Sequence, residues 1–150
     1  MSSVADEYWR EFQNRTGRTE ISCSGELDFS EGGTKSDWLV SMVISGTKTS
    51  FFTSWPTYSI DMEPLPATGE IYIVTDRSGE PRCIIETEAV EIVPFNEVTW
   101  EMARTEGEDA DLEEWRARHR EELEDEGAVV GFEFSPDIKL VFQNFSVIYR

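Results

Sequence analysis

The stretch "RCIIETEAVEIVPF", Arg82–Phe95, reads as a strong strand. It is rich in Ile, Val and Thr, which fit a pleated sheet. Glu86 and Glu88 fall on one face and the apolar Ile85 on the other, as the two-residue period of a strand requires. Just before it lies "RSGEP", where Ser78-Gly79 suits a turn and Pro81 sits at a strand start. Before that comes "IYIVTD", Ile71–Asp76, a second strand.

The sequence outward from this pair changes character several times. "DEYWREFQNRTG" reads as a first helix over about residues 5–16, with Tyr8, Trp9 and Phe12 on one side and Gly17 as its stop. "RTEISCSGELDFSEGGTK" reads as a loop. A second helix starts near Ser36 as N-cap, carries Leu39, Met42 and Val43 at helical spacing, and stops at Gly46. "TSFFTSW" has strand character, and "PTYSIDMEPLPATGE" reads as a Pro-containing loop. "PFNEVTWEMA" reads as a helix with Asn96 as N-cap. "DLEEWRARHREELEDEG" reads as a longer helix ending at Gly127, with Leu112, Trp115, His119 and Leu123 as its apolar stripe. "KLVFQNFSVIYR" closes as a strand. Helices and strands do not alternate regularly enough for a doubly wound parallel sheet. The pattern predicts an α+β fold, a small curved antiparallel or mixed β-sheet or barrel with helices around it, in one domain over residues 1–150.

Composition restricts function. Thirty-one acids oppose thirteen Lys and Arg, a net charge of −18. Such a surface repels a nucleic-acid backbone, so tight nonspecific binding to long DNA or RNA is disfavoured. Acids concentrate between Glu106 and Glu126, which leaves room for a local cationic pocket elsewhere. Cys23 and Cys83 form no CxxC pattern and read as buried thiols of a reducing compartment. "MSSVADEYWR" has neither the basic start nor the apolar stretch of a signal peptide, and no apolar run is long enough for a membrane span. The expectation is a cytoplasmic protein with no membrane association, working with no cofactor and no metal. One histidine, His119, rules out a multi-His metal site within the chain. His119 lies in "RARHREE", which reads as a solvated helix face.

Some candidate residues have plain structural explanations. Lys48, one of three lysines, follows a helix end where a cation complements the dipole. Glu106 lies in an acidic loop, where solvation is the ordinary fate. "EGEDAD" lacks the ligand pattern of a calcium loop. Glu86, Glu88 and Glu91 fit an exposed strand face, and Arg77 and Arg82 flank a surface turn. Of Phe51 and Phe52, at least one belongs in the core.

The order of these parts resembles the ASCH-domain family, whose fold is PUA-like. The resemblance runs from "YWREF" through "SGTKT", "PLPATGE", "PRCIIETEAVEIVPFNEV" and "TEGEDADLEEWRARH" to "FSVIYR". Its most specific blocks are "CIIETEAVEIVPF" and "EGEDADLEEW". The resemblance implies a cleft near the Lys-bearing loop that takes RNA or nucleotide-like ligands. Some members are amidohydrolases of N4-acetylcytidine, and others show ribonuclease activity. In the amidohydrolases a Lys and a Thr three residues later work with a Glu. The Lys position falls on Lys48, the Glu on Glu106 and the Thr on Phe51, which cannot be a nucleophile. Thr49 and Thr53 are each about 6.5–7 Å from Phe51 along a strand, and Ser50 points to the opposite face.

Three readings follow. The first is a binding module for a nucleoside, nucleotide or short RNA. In it Lys48 and Glu106 contact the ligand, and Phe51 or Trp55, with Tyr58 nearby, stack on the base. The second is hydrolysis of an acylated nucleoside such as N4-acetylcytidine, with Lys48 as base and Glu106 as orienter. The third is a ribonuclease, which the acidic surface and the lack of the usual histidine disfavour.

Overall fold

The computed structural model describes residues 2–29 and 35–150. Its elements are α1 (Ser3–Thr16), β1 (Gly25–Leu27), α2 (Ser36–Ser45), β2 (Ser50–Ser54), α3 (Trp55–Ile60), β3 (Ile71–Thr75), β4 (Pro81–Pro94), α4 (Trp100–Ala103), α5 (Leu112–Val130) and β5 (Lys139–Tyr149). Single 3-10 turns cover Phe95–Glu97 and Arg104–Glu106. The five strands form one mixed sheet in the order β1-β3-β4-β5-β2. β1 runs parallel to β3, whereas β3–β4 and β2–β5 are antiparallel. The predicted α+β class holds.

The chain divides into two compact units. The first comprises Met1–Thr47, Thr68–Glu88 and Phe145–Arg150. Its α1 begins where the Ser2 hydroxyl accepts from the Ala5 amide and ends at Gly17, left-handed at φ 73°. Ala5, Trp9 and Phe12, at i, i+4 and i+7, pack on Ile71, Ile73 and Ile84 of the β3–β4 hairpin. Each of the large side chains among them contributes about 1.5–3 kcal/mol on burial. Cys83–Ile85 is buried throughout, so the hairpin is covered on both faces there.

The second unit comprises Lys48–Ala67 and Ala89–Asn144. Phe52, Phe95, Trp115, Leu140 and Phe142 centre its core. The Phe52 and Phe142 rings stack at 4.4 Å, and Trp115 meets Phe52 edge-on at 5.0 Å. Phe52 is therefore the core member of the Phe51–Phe52 pair, and Phe51 is half-buried.

Several boundaries differ from expectation. Trp55, expected to end a strand, and residues 56–60, expected as loop, form α3, in which Pro56 occupies the first turn, where its missing N–H costs nothing. Lys35, not Ser36, is the N-cap of α2; Ser36 is buried inside the first turn. The loop expected over residues 18–35 contains β1, and its residues 30–34 lie outside the described ones. "PFNEVTWEMA" splits at an extended Val98 into a 3-10 turn and α4, which Thr99 caps by accepting from the Met102 amide. α5 continues past Gly127 to Gly131, left-handed at φ 111°. Gly127 serves space instead: a Cβ there would run into the Phe132 carbonyl and ring.

Candidate functional site

Lys48 follows the left-handed Gly46 by two residues and is 2% exposed. An isolated ammonium at that depth is too costly to bury. Its Nζ donates to Glu108 Oε2 at 2.8 Å and lies 3.5 Å from both Glu106 Oε2 and the Glu106 carbonyl oxygen. The backbone sets this meeting. The Thr49 amide donates to the Thr105 carbonyl at 2.9 Å, and the Ser50 and Thr105 hydroxyls are 2.6 Å apart. The start of β2 is thereby stitched to the 3-10 turn that carries Glu106.

Glu106 is 3% exposed and closes that turn just before Gly107 at φ 74°. Its Oε1 accepts three donors: Trp115 Nε1 at 2.7 Å, His119 Nε2 at 2.6 Å and Arg118 Nη2 at 3.1 Å. All three come from α5. Asp111 starts this helix by accepting from the Glu114 amide, which places Trp115, Arg118 and His119 at i, i+3 and i+4 on one face. Burial alone would raise the Glu106 carboxyl. His119, Lys48 and Arg118 outweigh it and hold the group well below the usual carboxylate range.

Arg118 extends the network. It binds Asp109 through Nε and Nη2, at 3.0 and 2.8 Å, and its Nη1 reaches Glu108 Oε1 at 3.5 Å and Glu122 Oε1 at 3.4 Å. Burial alone would lower its affinity for its proton; Asp109, Glu106 and Glu108 raise it further, so it stays charged. His119 packs against the Trp115 ring at 4.3 Å and the Phe52 ring at 5.7 Å. An ionised carboxylate only accepts, so the 2.6 Å contact places a proton on His119 Nε2. Its Nδ1 faces Glu122 Oε2 at 3.7 Å.

The structure thus brings Lys48 and Glu106 into contact. It corrects three expectations: Lys48 is not a solvated helix-end charge, Glu106 is not a solvated loop acid, and His119 is buried rather than on a solvated face. In each case a partner distant in sequence supplies the compensation that makes burial affordable. Phe51 lies opposite Gln143 in the β2–β5 register and contributes no polar atom to the network. Trp55 opens α3, with the Lys139 ammonium 5.3 Å above its ring. The hydroxyls that could replace a nucleophile are engaged elsewhere: Thr49 and Ser50 with Thr105, Thr53 with Tyr58. Among the described residues no group of three or more His, Cys, Asp and Glu is placed to hold a metal ion.

Sequence reading missed Trp115, Arg118, Glu108 and Asp109 as parts of this cluster. The signal was the i, i+3, i+4 spacing of a Trp, an Arg and a His on a helix opening just after a run of acids. A second polar contact, also missed, ties α3 to α5, where Glu126 Oε2 accepts from both Ser54 and Thr57.

An α+β domain whose second unit is built on a buried Lys–Glu–Arg–His cluster is what the fold and geometry define. A family model for the ASCH domain matches residues 26–149, and the chain belongs to that family. It is similar to the crystal structure of an ASCH domain from Lactobacillus crispatus JV V101, at 25% identity and a TM-score of 0.93, covering 100% of this chain and 97% of that one. It is similar also to a crystal structure from Enterococcus faecalis V583 assigned to DUF984, at 30% identity and a TM-score of 0.89, covering 99% of this chain and 90% of that one. No curated protein matches the chain. The PUA-like fold expected from the sequence is confirmed by these likenesses. Among the described residues no helix is long and apolar enough to cross a membrane.

Proposed function

We propose that this ASCH domain is a binding module for a nucleoside, a nucleotide or a short RNA, held at the Lys48–Glu106 cluster. One observation carries the reading. Lys48 is 2% exposed and locked between two carboxylates, while the residue three positions on is Phe51. A general base for acyl transfer needs a nucleophile, a side-chain hydroxyl or a water, within hydrogen-bond reach. The nearby hydroxyls on β2 are bonded to Thr105 and Tyr58 instead. Glu106, in contrast, has one saturated oxygen, while its Oε2 has only the 3.5 Å contact with Lys48. That leaves acceptor capacity for a ligand N–H, such as an exocyclic amine. In this reading Phe51 or Trp55 is the side chain that stacks on the base. Cys23 and Cys83 are free thiols, which suits a reducing cytoplasm.

The second reading, amidohydrolysis of an acylated nucleoside, is favoured by the Lys48–Glu106 contact itself. The two readings separate in one experiment. The protein is titrated calorimetrically with cytidine and with the dinucleotide CpC, and incubated with N4-acetylcytidine while release of cytidine is followed by chromatography. Binding without turnover, weakened tenfold or more in a folded Lys48→Met variant, is the expected result. Turnover that disappears in Lys48→Met overturns it in favour of the hydrolase, and absence of both binding and turnover overturns both.

A further inference from the structure

His119 is the chain's single histidine, is buried, and lies within hydrogen-bond reach of Glu106. Glu106 faces Nε2 from the 3-10 turn, and Glu122 faces Nδ1 from one turn further along α5. Arg118, its neighbour on α5, shares both carboxylates. Lys48, from the segment before β2, reaches the other oxygen of Glu106, and Glu108 and Asp109 meet Lys48 and Arg118 from the loop before α5. Phe52 of β2 and Trp115 contribute only rings.

With His119 doubly protonated, three cations (Lys48, Arg118, His119) face three deeply buried carboxylates (Glu106, Glu108, Asp109) and the more exposed Glu122. Loss of one proton makes the cluster more negative by one charge. The proton that stays is the one on Nε2, because ionised Glu106 needs a donor there. The proton lost is the one on Nδ1, and a bare ring nitrogen then faces the Glu122 carboxylate at 3.7 Å. That contact turns from attraction to repulsion between acceptors, while Glu122 keeps its 3.4 Å contact with Arg118 Nη1.

We propose that His119 is a positioning residue whose protonation sets the net charge of the Glu106–Lys48 cluster, so that the site takes a phosphate-bearing ligand more weakly as pH rises. The proposal rests on the reading of this cluster as the ligand site. It makes the domain's occupancy depend on pH through one buried side chain that never touches the ligand's phosphate. One added charge, between surface-like and watery screening, corresponds to a roughly three- to tenfold loss of affinity.

The test uses CpC, whose single phosphodiester keeps one charge from about pH 5.5 to about pH 8, the window in which histidines ordinarily titrate. Affinity of the wild-type protein is expected to fall three- to tenfold across that window, and neutral cytidine to change less. His119→Gln, which keeps an N–H donor for Glu106 but does not titrate, is expected to bind CpC with one affinity throughout. An equal pH profile in both proteins overturns the proposal while leaving the binding module standing. A second readout needs neither ligand nor variant: the indole N–H resonance of Trp115, bonded to Glu106, is expected to move in step with the His119 ring titration. If no probe binds, the functional reading falls, and this resonance alone decides the coupling. Its movement with His119 supports the charge switch, and its indifference overturns it.

Discussion

The two units of this chain solve burial in opposite ways. The first packs Ala5, Trp9, Phe12, Ile71, Ile73 and Ile84 together, and keeps its buried titratable groups neutral. Burial pushes the Tyr8 hydroxyl up to about 12 and the Cys83 thiol up to about 11, so neither ionises at ordinary pH. The second unit has an apolar core too, but beside its Trp115 it also buries a carboxylate, Glu106, and an arginine, Arg118, that stay charged. Glu106 is as deeply buried as many core residues, yet its carboxyl is held well below the usual range. A neutral core depends on area alone. A charged core depends on every partner being present, so it responds to pH, and removing one partner strands the rest.

That contrast is largest for one substitution in each unit. Phe12→Ala in the first and Glu106→Gln in the second are each expected to cost about 3–5 kcal/mol at neutral pH, the first through a cavity, the second by leaving Lys48, Arg118 and His119 short of an anion. Urea unfolding across a pH series separates them. The folded Glu106 carboxyl binds its proton less readily than the unfolded one, whose reference value is 4.5. The stability it contributes is therefore present above that value and drains away as pH falls below it. The gap between wild type and Glu106→Gln should narrow on acidification, and the gap between wild type and Phe12→Ala should not. Parallel gaps would mean that the charged core behaves like an apolar one.

The same contrast decides what could be read from the sequence. Most of the first unit was legible: the α1 stripe, its Gly17 stop and both strands of the β3–β4 hairpin follow from local periodicity and turn residues, whereas β1 read as loop. β2 and β5 were legible for the same reason. The charged cluster was legible only in part. Lys48 and Glu106 came from a family resemblance, and nothing local distinguishes them from solvated charges. His119 read as solvated because its neighbours Arg116, Arg118 and Arg120 are charged; its burial depends on Glu106 and Phe52, far away in sequence. α3 was missed because Pro56 marks either a loop or a first helical turn, and the contacts that choose the helix, Thr57 and Ser54 on Glu126, are again distant.

Two glycines carry the comparison to an intermediate scale. Gly17 in the first unit is needed for its left-handed backbone, with open space where a Cβ would go. Gly127 in the second is ordinary helix, with the Phe132 carbonyl in that space. Gly17→Asn, a residue that tolerates the left-handed region, should cost about 1 kcal/mol or less. Gly127→Ala should cost about 1–3 kcal/mol despite the better helix propensity of alanine, because backbone and not a flexible side-chain tip must move. Thermal melts of the two variants give the ranking. A stabilised Gly127→Ala would show that the α5 terminus yields more easily than its packing implies.

The smallest effect tests whether charge or burial makes the second unit different. Arg120–Glu124 on α5 and Arg15–Glu11 on α1 are both i, i+4 pairs, at 2.8 and 3.0 Å, with all four side chains largely exposed. Water screens each pair, and each side chain gives up entropy to hold it, so either is worth about 0.3–0.5 kcal/mol. Arg120 also lies 5.0 Å over the Phe134 ring, so Arg120→Ala should cost about 0.5–1 kcal/mol more than Arg15→Ala in urea unfolding, both should stay small, and the ion-pair part of each should shrink further in about 1 M salt. Arg118 lies two residues from Arg120 on the same helix, but its side chain is only 19% exposed and it bridges three buried acids. If Arg120→Ala proved as damaging as loss of a cluster residue, the acidic composition of α5 would be the cause. If it exceeds Arg15→Ala by no more than the roughly 0.5–1 kcal/mol of the Phe134 contact, the cause is the depth at which the second unit holds its charges.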